Sequence, residues 1–215
     1  MPAPAVPPPD CAFCTRLALF REANREAHDD WHNAPVPSFG SMDARLLIVG
    51  LAPGLKGANR TGRPFTGDYA GDLLYATLKK FGYAKGEYAQ HAKDGFELID
   101  CRITNSVRCV PPENKPTPAE IAACRPFLVD EIAAMPKLET ILALGAVAHQ
   151  TVLTTLGEKR AKFPFAHGAV HALSKLRLAD SYHCSRYNTN TGRLTPEMFE
   201  SVFTAMQKTS STRSS

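Results

Sequence analysis

Residues 45–72 read RLLIVGLAPGLKGANRTGRPFTGDYAGD, and the reading of this stretch decides the fold. Arg45-Leu46-Leu47-Ile48-Val49 is an aliphatic, β-branched run, too short for a helix and closed by Gly50, so it predicts a buried strand. From Gly50 to Gly71 there are six glycines and two prolines, a density that suits a backbone turning sharply or passing close to a ligand. A helix is expected from about Ala70. A strand, a glycine-rich loop and a helix make a ligand-binding unit at the carboxyl end of a parallel strand.

Neither common phosphate pattern fills the loop. Walker A requires Gly-Lys-Ser/Thr at the helix start and the dinucleotide fingerprint requires G-x-G-x-x-G; both are missing, which argues against ATP, NAD and a nucleotide-hydrolysing enzyme. The loop holds instead Asn59, Arg60, Thr61, Arg63, Thr66 and Asp68, with Phe65 as the one aromatic between Gly50 and Asp68. A surface turn does not need Arg60, Arg63, Phe65 and Asp68 together, so the stretch reads as a binding site.

Working outward, 215 residues with 44% hydrophobic and 21% charged side chains suit one globular α/β domain, expected over 10–208. A disordered proline-rich lead is expected over 1–9 and a frayed serine-rich tail over 209–215. No apolar run approaches the roughly 20 residues that span a bilayer, and MPAPAVPPPD lacks the basic and apolar parts of a secretory signal. A cytoplasmic monomer without membrane contact is the expectation. A net charge of +4 permits a polyanionic partner without demanding one.

Along the chain, CAFCTRLALFREANREAHDD (11–30) has the periodicity of an amphipathic helix, and 31–41 reads as a connecting loop. FELIDCRITNSV (96–107) predicts a second strand, TILALG (140–145) a third and LRLADSYH (176–183) a fourth, with a short extended excursion over 163–173. Helices are expected over 70–81, from Thr117, where Thr117 and Glu120 can form a capping box, over 146–157, and from Thr195. Strands alternating with helices imply a parallel sheet between helical layers.

Six cysteines without a secretory signal point to thiols or metal ligands. Cys11, Cys14, Cys109 and Cys124 could hold a tetrahedral zinc or an iron-sulfur cluster; one close and one spread pair suits the larger group better than the two tight knuckles of structural zinc. Cys101 reads as a buried small hydrophobe.

In a parallel sheet the loops after strands one, two and four share one edge, which brings Asp68, Phe65, Asn105, His183 and Arg186 within reach of one ligand. A flat heteroaromatic base could stack on Phe65, meet the Asn105 amide and accept a hydrogen bond from His183. HCSRYNTNTGR (183–193) looks suited to a phosphate backbone.

Three stretches, GLAPGLKGANRTGRPFTGD (50–68), NSVRCVPPENKPTPAEIAAC (105–124) and HCSRYNTNTGRLT (183–195), closely resemble the signature motifs of the uracil-DNA glycosylase superfamily, in its iron-sulfur family 5, or type B. The resemblance covers nearly the whole chain. It implies a three-layer α/β/α sandwich with a four-stranded parallel sheet, and a 4Fe-4S cluster on Cys11, Cys14, Cys109 and Cys124. It implies hydrolytic excision of uracil from DNA, with other deaminated bases such as hypoxanthine or xanthine as further candidates. Gly50, Ala52, Phe65, Asn105 and His183 would then form the base pocket. Asp68, His183 and Asn105 would be catalytic, and Asn59, Arg60, Arg63, Ser185, Arg186 and Asn188 would contact DNA. Two departures stand out. Leu51 and Ala52 occupy the place where related families carry a water-positioning carboxylate or amide, so Asp68 is the expected substitute. Cys184 stands where family 5 usually has proline, which predicts a looser loop. The competing reading is a damaged-DNA binding module that hydrolyses nothing.

Overall fold

The computed structural model describes residues 6–211; the outer parts of the expected lead and tail, 1–5 and 212–215, lie outside them. Within the lead, Pro7 is buried and the Cys11 N–H donates to the Pro8 carbonyl at 2.9 Å.

The main sheet contains β1 (Phe39–Gly40), β2 (Leu46–Gly50), β5 (Cys101–Asn105), β6 (Thr140–Leu144), β7 (Val170–Ala172) and β8 (Arg177–Ser181); β3 (Ala84–Lys85) and β4 (Glu97–Leu98) pair separately. Its spatial order is β1-β5-β2-β6-β8-β7. The inner four strands are parallel, as expected, and β1 and β7 add short antiparallel edges. These edges have two and three residues, too few for a readable alternation. The strand expected over 96–107 is split: Glu97–Leu98 pairs with Ala84–Lys85, Asp100 turns the chain at φ +51°, and only Cys101–Asn105 enters the main sheet.

Helices α1 (Thr15–Ala27), α2 (Ala58–Thr61), α3 (Tyr69–Lys80), α4 (Pro118–Ala133), α5 (Ala146–Thr155), α6 (Arg186–Asn190) and α7 (Pro196–Ser211) complete the described chain. Period-two alternation in β2 builds two cores. Leu46 and Ile48 pack with Leu74 and Leu78 of α3 and Phe199 and Phe203 of α7, while Leu47 and Val49 pack with Leu128 of α4 and Val152 of α5. Each such side chain contributes about 1.5–3 kcal/mol on burial. The helices therefore lie on both faces of the sheet.

The expected capping box is present at the start of α4. Thr117 Oγ1 accepts the Glu120 N–H, and Glu120 Oε2 accepts the Thr117 N–H at 2.7 Å. Glu120 also receives Arg16 Nη2 at 2.7 Å, tying α1 to α4. Among the described residues no helix is long and apolar enough to cross a membrane.

Candidate active site

The parallel register sets Gly50 beside Asn105, and β8 ends two residues before His183. At this carboxyl edge opens a cavity of about 610 Å³, lined by Ala52, Phe65, Asp68, Asn105 and His183, with Ser185 and Arg186 on its wall. The loops expected to converge do so.

Phe65 is 6% exposed and sits at φ +52°, a left-handed conformation rare for a bulky side chain. Its surroundings hold it there. Tyr88 Oη donates to the Phe65 carbonyl and accepts the Gly67 N–H, both at 3.2 Å. That carbonyl packs on Gly71, where a Cβ would come within 1.8 Å of it. A Cβ on Gly50 would lie 2.4 Å from Asn105 Oδ1 and 2.6 Å from Phe65 Cζ. Gly50 is thus absent from the cavity lining, and its missing side chain lets the ring and the amide close over the strand end. Asn105 is buried, and its Oδ1 has no hydrogen-bond partner.

Asp68 caps α3, its Oδ1 accepting the Gly71 N–H at 3.2 Å. Its Oδ2 faces Gly57, where a Cβ would come within 2.3 Å. Burial raises the carboxyl above its usual range, against the lowering pull of the Gly71 and Ala70 N–H groups. His183 lies 5.9 Å from Phe65, ring to ring. Burial pushes its imidazole down to about 4, so it is neutral near pH 7, and its buried Nδ1 has no partner.

The residues expected to touch DNA separate into two groups. Arg60 is exposed, and Arg186 is exposed beside the cavity, its guanidinium 5.5 Å from the Tyr69 ring. Asn59 and Arg63 are corrected. Asn59 is 1% exposed and donates to Asn33 Oδ1 at 2.9 Å, which pins the loop to the segment before β1. Arg63 is buried, bidentate on Asp94 at 2.8 and 2.7 Å, bonded to Thr66 and set among the rings of Phe39, Tyr75 and Tyr88. Neither presents a free donor to a ligand. Ser185 caps α6 by accepting the Asn188 N–H at 3.4 Å, and the Asn188 amide donates to the His183 carbonyl at 2.8 Å. The stretch expected as an open polar loop therefore contains a short helix. Cys184 is fully buried in the core, so the loop is anchored at the point where the missing proline predicted looseness.

Asn114, Tyr69 and Lys56 also line the cavity and were not singled out from the sequence. Asn114 follows two prolines and takes φ +56°; an asparagine in such a turn is the signal that could have found it.

A family model for the Uracil DNA glycosylase superfamily matches residues 37–207. The chain belongs to this superfamily. It is 44% identical over 207 residues to the Type-5 uracil-DNA glycosylase of Mycobacterium leprae, covering 92% of this chain and 90% of that protein. Identity to the Type-5 uracil-DNA glycosylase of Thermus thermophilus is 42% over 198 residues, covering 89% and 90%. For the Type-5 uracil-DNA glycosylase of Pyrobaculum aerophilum it is 39% over 197 residues, covering 90% and 86%.

In this superfamily member the four cysteines expected as ligands meet at one corner. Cys11 and Cys14 precede α1, Cys109 follows β5, Cys124 lies on α4, and all four line a small enclosed cavity with Leu17, Val107 and Phe127. Burial raises the thiols of Cys14 and Cys124, and pushes Cys109 up to about 12. Thiolates in this corner need a positive partner. Zinc with sulfurs at about 2.3 Å would draw them to about 3.8 Å of one another. Among the described residues, however, only His149, His171 and Asp180 bring three such donor atoms within 4.8 Å. Hydrogen bonds account for that trio: Asp180 bonds His149 Nδ1 at 2.7 Å and His171 Nε2 at 3.0 Å, holding α5 and β7 to β8. The four cysteines do not form such a group among the described residues.

Proposed function

We propose that this superfamily member excises uracil from DNA by hydrolysing the N-glycosidic bond, leaving an abasic site. The observation that carries the reading is the convergence of Phe65, Asn105, a neutral His183 and the Asp68 carboxylate on one cavity. The target base leaves the DNA stack, a step that costs a few kcal/mol and least for a mispaired base. In the cavity it stacks on Phe65 and meets the Asn105 amide with its polar edge. As the C1′–N bond breaks, negative charge builds on the base and positive charge on the sugar. A neutral imidazole that donates to the base oxygen stabilises the first, and the ionised Asp68 the second, while Asp68 also orients the water that adds to C1′. Arg186 and Arg60 hold the backbone. Hypoxanthine and xanthine present similar flat, polar edges and are further substrates in this reading.

The same proposal assigns a 4Fe-4S cluster to Cys11, Cys14, Cys109 and Cys124. Support comes from four thiols gathered around one enclosed apolar cavity. When bound, the cluster ties α1 to the segment that follows Asn105; no step of the hydrolysis passes through it.

A uracil-containing oligonucleotide, incubated with the protein and then treated with alkali, tests the reading. Strand scission at the uracil is expected; a gel shift without abasic product identifies a binding module instead. Asparagine is as good a helix cap as aspartate, so Asp68→Asn keeps α3 intact while removing the charge. Single-turnover excision should fall about 10²- to 10³-fold with DNA binding retained. Because the Asp68 carboxyl is held above its usual range, wild-type activity should fall on acidification earlier than an ordinary carboxylate would dictate. That limb should disappear in Asp68→Asn. Unchanged excision by Asp68→Asn removes Asp68 from the mechanism.

A further inference from the structure

Arg21 lies on the inner stripe of α1, one turn after Leu17, which packs against Val107, Cys124 and Phe127. It is 4% exposed, and its Nη1 donates to the Cys11 carbonyl at 3.1 Å. Its Nε is buried without a hydrogen-bond partner, the nearby Glu22 carboxylate standing off at 3.6 Å. An idle donor on a buried cation is expensive, because its desolvation goes uncompensated. The other buried arginine of this corner has no donor to spare in the same way, because Arg108 is engaged by Glu131 Oε2 and Ser38 Oγ, both at 2.5 Å. Four thiolates and their irons form an anionic group in an apolar corner, and such a group needs a counter-charge and donors to its sulfurs.

We infer that Arg21 is the positioning and charge-compensating residue of the cysteine corner, its guanidinium anchored on the Cys11 carbonyl and its remaining N–H available to the cluster sulfurs. This rests on the assignment of an iron-sulfur cluster to the four cysteines. It makes Arg21 a determinant of how long the cluster survives and of its reduction potential, with no part in uracil recognition.

The test compares wild type, Arg21→Lys and Arg21→Met, purified anaerobically. Iron and sulfide per chain, bleaching of the visible band by a chelator, and the potential by voltammetry are measured beside far-ultraviolet circular dichroism. Replacing residues that support metal ligands commonly changes metal affinity 10- to 100-fold, so Arg21→Met should bleach about 10- to 100-fold faster at a lower potential. Arg21→Lys keeps the charge and loses the fork, and should bleach at an intermediate rate. A folded Arg21→Met with wild-type bleaching and potential overturns the inference while leaving the cluster in place. Should Arg21→Met not fold, a wild-type bleaching rate in Arg21→Lys overturns it equally. Wild-type protein that carries zinc or no iron refutes the cluster itself, and the inference with it.

Discussion

The glycine-rich wall of the cavity, 50–68, and the wall bearing His183, 183–193, face the same space but are held by different means. The first is tied to distant parts of the chain. Arg63 forms a buried bidentate pair with Asp94, Asn59 is bonded to Asn33, and Tyr88 grips the backbone on both sides of Thr66. Beyond the buried Cys184, the second relies mainly on neighbours a few residues away, the Ser185 cap and the Asn188 amide on the His183 carbonyl, with Arg186 lying over the distant Tyr69 as an exposed contact. Preorganisation of Phe65 and Asp68 therefore belongs to the tertiary fold, whereas in the proposed function the part of the second wall beyond Cys184 is the one that can adjust to DNA. Substitutions in the first wall should appear in stability and turnover, and those in the second in DNA affinity.

The largest effect is expected at Arg63. Removing one partner of a buried ion pair typically costs about 3–5 kcal/mol, because the other charge is left uncompensated. Arg63→Met should lower the urea midpoint accordingly and abolish excision at temperatures where the wild type works. Adding Asp94→Leu should restore much of the stability, since a matched apolar pair carries no stranded charge. Arg63 holds the Asp94 carboxyl well below the usual carboxylate range. The folded pKa is thus below the unfolded one, near 3.9. The stabilisation is complete above that unfolded value and is lost as pH falls through the folded one, so Arg63→Met should unfold with a weaker acid dependence than wild type. A variant as stable as wild type would show that the glycine wall does not depend on this pair.

The contrast between the walls also explains what could be read from the sequence. LLIVG and TILAL announced buried strands because short apolar runs have few other uses, and Thr117 with Glu120 announced a helix start because the cap is a local pattern. Convergence of Asp68, Phe65, Asn105 and His183 followed from the parallel topology. Arg60 and Arg63 looked alike, however, and only Asp94, 31 residues beyond Arg63, separates an exposed cation from a buried clamp. No local signal carries that information. Helix α6 was hidden by its length of five residues, although Ser185 three residues before Asn188 is a capping signature in retrospect. Asn114 was hidden by the proline-rich loop around it.

A smaller effect is expected at Tyr88, whose ring lies near Arg63 and whose hydroxyl bonds both Phe65 and Gly67. Tyr88→Phe keeps the ring and removes both bonds, a loss of about 0.5–1.5 kcal/mol each. A residue that merely packs would lower stability alone. If Tyr88 positions the Phe65 ring, the variant should also lose turnover, with KM for a uracil oligonucleotide moving less than kcat. Equal shifts in both, or none, would show that Phe65 keeps its left-handed backbone without help.

The smallest effect should come from the adaptable wall. Arg186 is exposed and stacked on Tyr69, and it makes no buried bond whose loss would disturb the fold. Arg186→Ala should leave thermal stability and excision at saturating DNA close to wild type. Its signature is electrostatic: one phosphate contact fewer reduces the slope of log K against log salt by about one. An unchanged slope with weakened binding would mean that Arg186 acts through Tyr69 on the shape of the cavity mouth. The second wall would then be preorganised as well, and the difference between the two walls would be one of degree.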